Sequence, residues 1–186
     1  MRLGAFMLAA TLAAGAAGAQ GLPGVGLSGG SWLPPGLAAA GTDYAAAALA
    51  ALVREGAREA ALHGPQPLDG AMRAAARGFP ADTLDRARWL VAPPGSRLRA
   101  VMFADGPVDA VTLGDVVVFR DAAAAGDGAL LRHELGHVVQ YGRWGVDGFA
   151  RRYVLDPVGV ERDAQAIADA ARPGLARSAR PVPRPR

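Results

Sequence analysis

The 186-residue chain has no cysteine. Disulfide cross-links and thiolate zinc sites are therefore excluded, and any metal must be held by nitrogen and oxygen ligands. A lipid anchor on a cysteine behind a leader is excluded with them. Lysine is also missing, since all twenty basic residues are arginine; with the alanine and glycine content this matches a GC-rich genome and carries no functional message. Charged residues are scarce at 20% against 51% hydrophobic, a balance that excludes a disordered regulator and fits one compact domain. Acids are missing from residues 172–186, which hold five of the arginines. The rest of the chain from residue 20 to 171 sets fourteen Arg against seventeen Asp and Glu, a net of −3. The basic balance is thus a property of the tail, and nucleic acid is not an expected partner. The tail, 172–186, reads as a solvated, proline-stiffened, disordered end.

Long hydrophobic runs are few. Residues 1–19 carry Arg2, an uncharged stretch through Leu12, and the small residues Ala17-Gly18-Ala19 before Gln20. This is the order of a secretory signal peptide, and its alanine-rich core falls short of the roughly 20 strongly apolar residues of a permanent span. The expectation is cleavage after Ala19, no stable membrane span afterwards, and a periplasmic or secreted bacterial protein.

Residues 20–41 are rich in Gly and Pro, uncharged, and read as an extended arm anchored by Trp32. The domain proper is expected over 42–171. Thr42 or Asp43 can cap a helix running to about Leu62, where Gly64-Pro65 stops it. Shorter helices are predicted from about Asp69 to Arg77 and from Asp82 to Trp89. Leu98–Phe103 and Ala110–Phe119 are apolar runs divided by Asp105-Gly106-Pro107, and read as two strands of a hairpin or small sheet. A helix capped by Asp127 follows from Ala129 to Arg143, then a turn at Gly145 and Gly148, helical turns over Phe149–Leu155, and an amphipathic helix over Val158–Ala171. The fold class is α+β, mostly helical, with a small sheet packed on the central helix.

Only three histidines occur, and two of them stand in His133-Glu134-Leu135-Gly136-His137. Four residues apart on a helix, the imidazoles differ by about 40° and point the same way, so both can hold one zinc ion. Glu134 is turned about 100° away, where its carboxylate reaches a water on the metal rather than the metal itself. Zinc lowers the pKa of that water, and Glu134 is the base that takes its proton. A catalytic site needs a further ligand. The metzincin extension would require Gly at 140 and His or Asp at 143, where this chain has Gln140 and Arg143. Asp147, Asp156 and Glu161 remain. Glu161 is the best placed, as the one Glu beyond the motif and at the start of a second amphipathic helix, which gives a His₂Glu set. Gly136, without a side chain, lets another element approach the helix.

The stretch Leu130–Tyr141, with Phe149–Tyr153 and Val160–Ala164, resembles gluzincin-type bacterial metallopeptidases. It is most similar to the metallopeptidase-like domain of extracellular contractile injection system core proteins and of its secreted relatives. That resemblance implies a zincin-like fold, His133, His137 and Glu161 on zinc, Glu134 as base, and an edge strand within 110–119 that pairs with an extended peptide. The chain departs from the gluzincin pattern at Gln165, where an Asp four residues after the Glu ligand often orients a histidine; Asp163 and Asp169 are the nearby acids. Tyr153, Arg152 and His63 are candidates for stabilising the oxyanion. The expected activity is zinc-dependent hydrolysis of a peptide or protein substrate. The competing expectation is a catalytically silent, zinc-stabilised structural or interaction module of a secretion or injection assembly.

Overall fold

A computed structural model describes residues 41–103 and 108–172. The expected signal peptide of 1–19, the expected arm of 20–41 except Gly41, the Asp105-Gly106-Pro107 divider and the tail beyond Arg172 lie outside the described residues. Among the described residues the fold is α+β and mostly helical, with one small four-stranded sheet. No helix there is long and apolar enough to cross a membrane.

Helix α1 (Thr42–Ala61) buries Leu49, Ala50 and Val53. Gly41 stands at its N-cap position without a side-chain cap, so the expected capping by Thr42 or Asp43 is not made. Asp43 instead sits in the first turn and pairs with Arg151. Strand β1 (Gln66–Pro67) leads to α2 (Gly70–Ala75), where Asp69 accepts from the Met72 amide at 2.8 Å. Helix α3 (Ala81–Arg86) ends three residues earlier than predicted. The following residues form β2 (Arg88–Val91), because they find a parallel partner in β4 (Val116–Phe119), with Arg88 opposite Val116.

Two further expectations are corrected. Residues 97–103 form a helix, α4 (Arg97–Phe103), not a strand. Pro93-Pro94-Gly95 turns the chain and Ser96 caps it, its hydroxyl accepting from the Arg99 amide at 3.1 Å; local capping outweighs an apolar run that holds a single β-branched residue. The run 110–119 is itself the hairpin, β3 (Ala110–Leu113) and β4, closed by Gly114-Asp115 with Leu113 opposite Val116. Gly114 has φ +69°, a conformation a two-residue hairpin loop demands and L side chains resist. The sheet order is β1-β2-β4-β3, which leaves β3 at one edge. Along β4 the side chains alternate, Val117 and Phe119 entering one apolar cluster and Val118 the other.

After the short α5 (Ala122–Ala125) comes α6 (Gly128–Leu155), whose first amides at Ala129 and Leu130 are capped by the Asp127 carboxylate as expected. The predicted turn at Gly145 is one non-helical residue, φ 66°, inside the element. It brings Phe149 back to stack between Tyr141 and Tyr153, with ring centroids 4.1 and 5.6 Å away. Helix α7 (Pro157–Ala170) then packs antiparallel on α6.

The two helices meet at Gly136. A Cβ there would lie 2.4 Å from the Ala164 carbonyl oxygen, a main-chain atom that cannot step aside. The missing side chain thus sets the crossing that brings Glu161 to the histidines. Gly136→Ala is expected to destabilise the protein by about 1–3 kcal/mol, as overpacking does, read as a lower urea midpoint at unchanged slope.

Candidate metal centre

His133 and His137 lie one turn apart on α6 and face Glu161 on α7. All three are buried. The Glu161 Oε2 atom is 3.1 Å from His133 Nε2 and 3.4 Å from His137 Nε2. His137 Nε2 and Glu161 Oε1 are buried without hydrogen-bonding partners. Unsatisfied polar atoms are costly inside a protein. Here one ligand atom from each of the three residues lies within 4.8 Å of the others, so the group could hold a metal ion. Two imidazole nitrogens and a carboxylate oxygen, with a nitrogen and an oxygen lacking partners, fit a cation at their centre.

The other carboxylates considered for the third ligand are engaged elsewhere. Asp147 is exposed and bound to Arg54 at 2.6 Å. Asp156 caps α7, its Oδ1 accepting from the Gly159 amide at 2.8 Å. Of the three oxyanion candidates, Tyr153 alone reaches the site, lining one cavity with Glu134, His137 and Glu161. Arg152 is exposed and stacks over Trp144, and His63 is exposed beside Glu59 at the end of α1.

Glu134 is buried on the β3 side of the motif. The Thr112 hydroxyl donates to its Oε2 at 2.6 Å and lies 3.2 Å from its main-chain carbonyl. Thr112 was not singled out by the sequence, because pairing between a strand residue and a helix residue 22 positions away leaves no local signal. Gln140 was also missed as a functional residue, although it stands three residues after His137, which puts it within reach on the same helix. Its Oε1 lies 2.9 Å from His137 Nδ1, and its Nε2 donates to the Val160 carbonyl and to Asp163. Gln165 takes the position where gluzincins often have Asp, its Oε1 3.3 Å from His133 Nδ1 and its Nε2 donating to Asp169. The cavity beside these groups is about 50 Å³ and mostly apolar, walled by Leu49 and Val53 of α1, Met102, and Val111 of β3.

Burial opposes charge on His137, but the neighbouring Glu161 and Glu134 carboxylates and Gln140 outweigh it and raise the imidazole to about 9. Burial likewise opposes ionisation of Glu161, and contact with the two histidines reverses this, holding it at about 2. Burial first, then the Glu161 carboxylate, push the Tyr153 phenol above its ordinary range, so it stays protonated. In the metal-free protein, His137 contributes its full stabilisation below its ordinary 6.5 and loses it as pH rises through about 9. Glu161 contributes above its ordinary 4.5 and loses its share as pH falls through about 2. A bound metal reverses the alkaline trend, since it competes with a proton for the same nitrogen. The melting temperature of metal-free protein is therefore expected to fall from about pH 6.5 to pH 9, while the rise in melting temperature on adding metal grows over the same range.

Residues 67–145 match the eCIS core domain. The match supports an association with proteins of extracellular contractile injection systems. It runs from β1 to the break in α6 and includes His133, Glu134, His137 and Gln140, while α1 and Glu161 lie outside it. No curated protein and no solved structure matches the chain.

Proposed function

We propose that this protein is an exported zinc-dependent peptidase of zincin-like fold, with His133, His137 and Glu161 as the metal ligands and Glu134 as the general base. The observation that carries the reading is the buried His₂Glu cluster, whose His137 and Glu161 line one cavity with Glu134. Two histidines and a carboxylate are a catalytic zinc set, which leaves a coordination position for substrate chemistry. When bound, zinc would polarise a water molecule and the peptide carbonyl.

The chain's own residues supply the rest. Glu134 accepts the proton of the attacking water and can return it to the leaving amine. Thr112 fixes that carboxylate through its 2.6 Å hydrogen bond, so one oxygen is held and the group presents the other. Tyr153, kept protonated, can donate to the carbonyl oxygen as negative charge develops there. Strand β3 lies at the sheet edge and packs on α6 with all four of its residues buried, so main-chain pairing with an extended substrate would require that edge to be uncovered. The small apolar cavity favours a small aliphatic side chain beside the cleaved bond.

Incubation of the zinc-loaded protein with a mixed peptide library, followed by mass spectrometry, tests the activity. Cleavage that stops with chelator and returns with zinc is the expected result; an inert protein carrying zinc contradicts it. Thr112→Val is expected to lower kcat several-fold with zinc content unchanged, because the base loses its fixed orientation. The eCIS core domain match favours a second reading, a zinc-stabilised interaction module of an injection assembly. A stable but inert zinc protein would establish that alternative over the first.

A further inference from the structure

We infer that Gln140 and Gln165 are positioning residues that hold both imidazoles with a proton on Nδ1 and Nε2 turned toward Glu161. The part of this that concerns the metal rests on the reading above; the ring orientation does not.

Each chain of hydrogen bonds is fixed at its outer end. An ionised Asp and a main-chain carbonyl only accept. Asp163 and the Val160 carbonyl, 2.9 and 2.8 Å from Gln140 Nε2, therefore require the NH₂ end of that amide to face them. Asp169, 3.1 Å from Gln165 Nε2, sets the other amide in the same way. Each glutamine then has its carbonyl oxygen on the imidazole, at 2.9 Å from His137 Nδ1 and 3.3 Å from His133 Nδ1. An amide oxygen cannot donate, so both Nδ1 atoms must. In a neutral imidazole the other nitrogen is left as the acceptor, and in both rings that nitrogen is the one beside Glu161.

The sequence spacing that achieves this is regular. On α7, Glu161, Gln165 and Asp169 follow one another at four-residue intervals along one stripe, giving the ligand, the amide and the acid behind it. On α6, Gln140 is fully buried three residues from His137, and Asp163 of α7 backs it. The two arms differ in stiffness. Gln140 is held at three points inside the core, whereas Gln165 is half-buried and bridges two helices with a longer contact, so the Gln140 arm should be the stronger.

Nitrogen-15 NMR of the imidazoles in the metal-free protein tests the ring state directly. The expected spectrum has a protonated Nδ1 in both His133 and His137, whether or not Nε2 also carries a proton. A bare Nδ1 in either ring overturns the inference. Zinc affinity by chelator competition is the second readout. Gln140→Met and Gln165→Met are expected to weaken binding roughly tenfold or more, Gln140→Met the more. Gln165→Glu combined with Asp169→Asn keeps an acceptor on His133 Nδ1 and keeps the 165–169 hydrogen bond with donor and acceptor exchanged, and should restore near-parent affinity. Unchanged affinity in both single variants, or no rescue by the pair, contradicts the positioning role. A parent protein that binds no zinc, yet shows both Nδ1 protons, contradicts the peptidase reading and leaves the ring orientation supported.

Discussion

Glu134→Gln is expected to reduce peptide hydrolysis by about 10²–10⁴-fold, the range that loss of a general base removes, with bound zinc nearly unchanged. The amide is the same size as the carboxylate, and its oxygen can still accept from the Thr112 hydroxyl at the position Oε2 now occupies. What it cannot do is take a proton. The loss should therefore fall on kcat, while peptide binding and melting temperature stay close to the parent's. Full activity in this variant would remove Glu134 from the chemistry. An interaction module would show no change in any of these quantities, so the substitution also separates the two readings of the fold.

Glu161→Ala is expected to have the largest effect on metal. It deletes one of three ligands, so zinc affinity should fall by more than the roughly 10–100-fold that follows loss of an outer hydrogen-bonding partner. It should also reduce the alkaline loss of stability described above. With Glu161 gone, the group that most raises His137 is gone too, and only Glu134 and Gln140 are left to oppose burial at that imidazole. The metal-free variant should then lose less melting temperature between pH 6.5 and pH 9 than the parent does. Retention of stoichiometric zinc would move the third ligand elsewhere, and neither Asp147 nor Asp156 is placed to supply it without giving up its present partner.

How much of this was legible in the sequence follows from the range of each interaction. His133, Glu134 and His137 announce themselves because four-residue spacing on a helix is a local rule, and the Asp127 cap and the long helix of 128–155 obey local rules as well. Glu161 could be named because it is the one Glu beyond the motif, yet only the crossing at Gly136 shows why it arrives beside the histidines. The sheet was read less well. Arg88–Val91 become a strand through a parallel partner about 28 residues away, and 97–103 become a helix through the Ser96 cap; neither outcome is visible in hydrophobic period alone. Glutamines were passed over for a chemical reason. Gln140 and Gln165 neither ligate nor titrate, and their role shows only when the amide's two ends are matched to a donor on one side and an acceptor on the other.

The most direct measurement is the metal content of the folded protein, purified without chelator, by elemental analysis. About one zinc per chain is expected, as a His₂Glu site binds one ion. A folded protein that holds no zinc, and takes up none when reloaded, would contradict it.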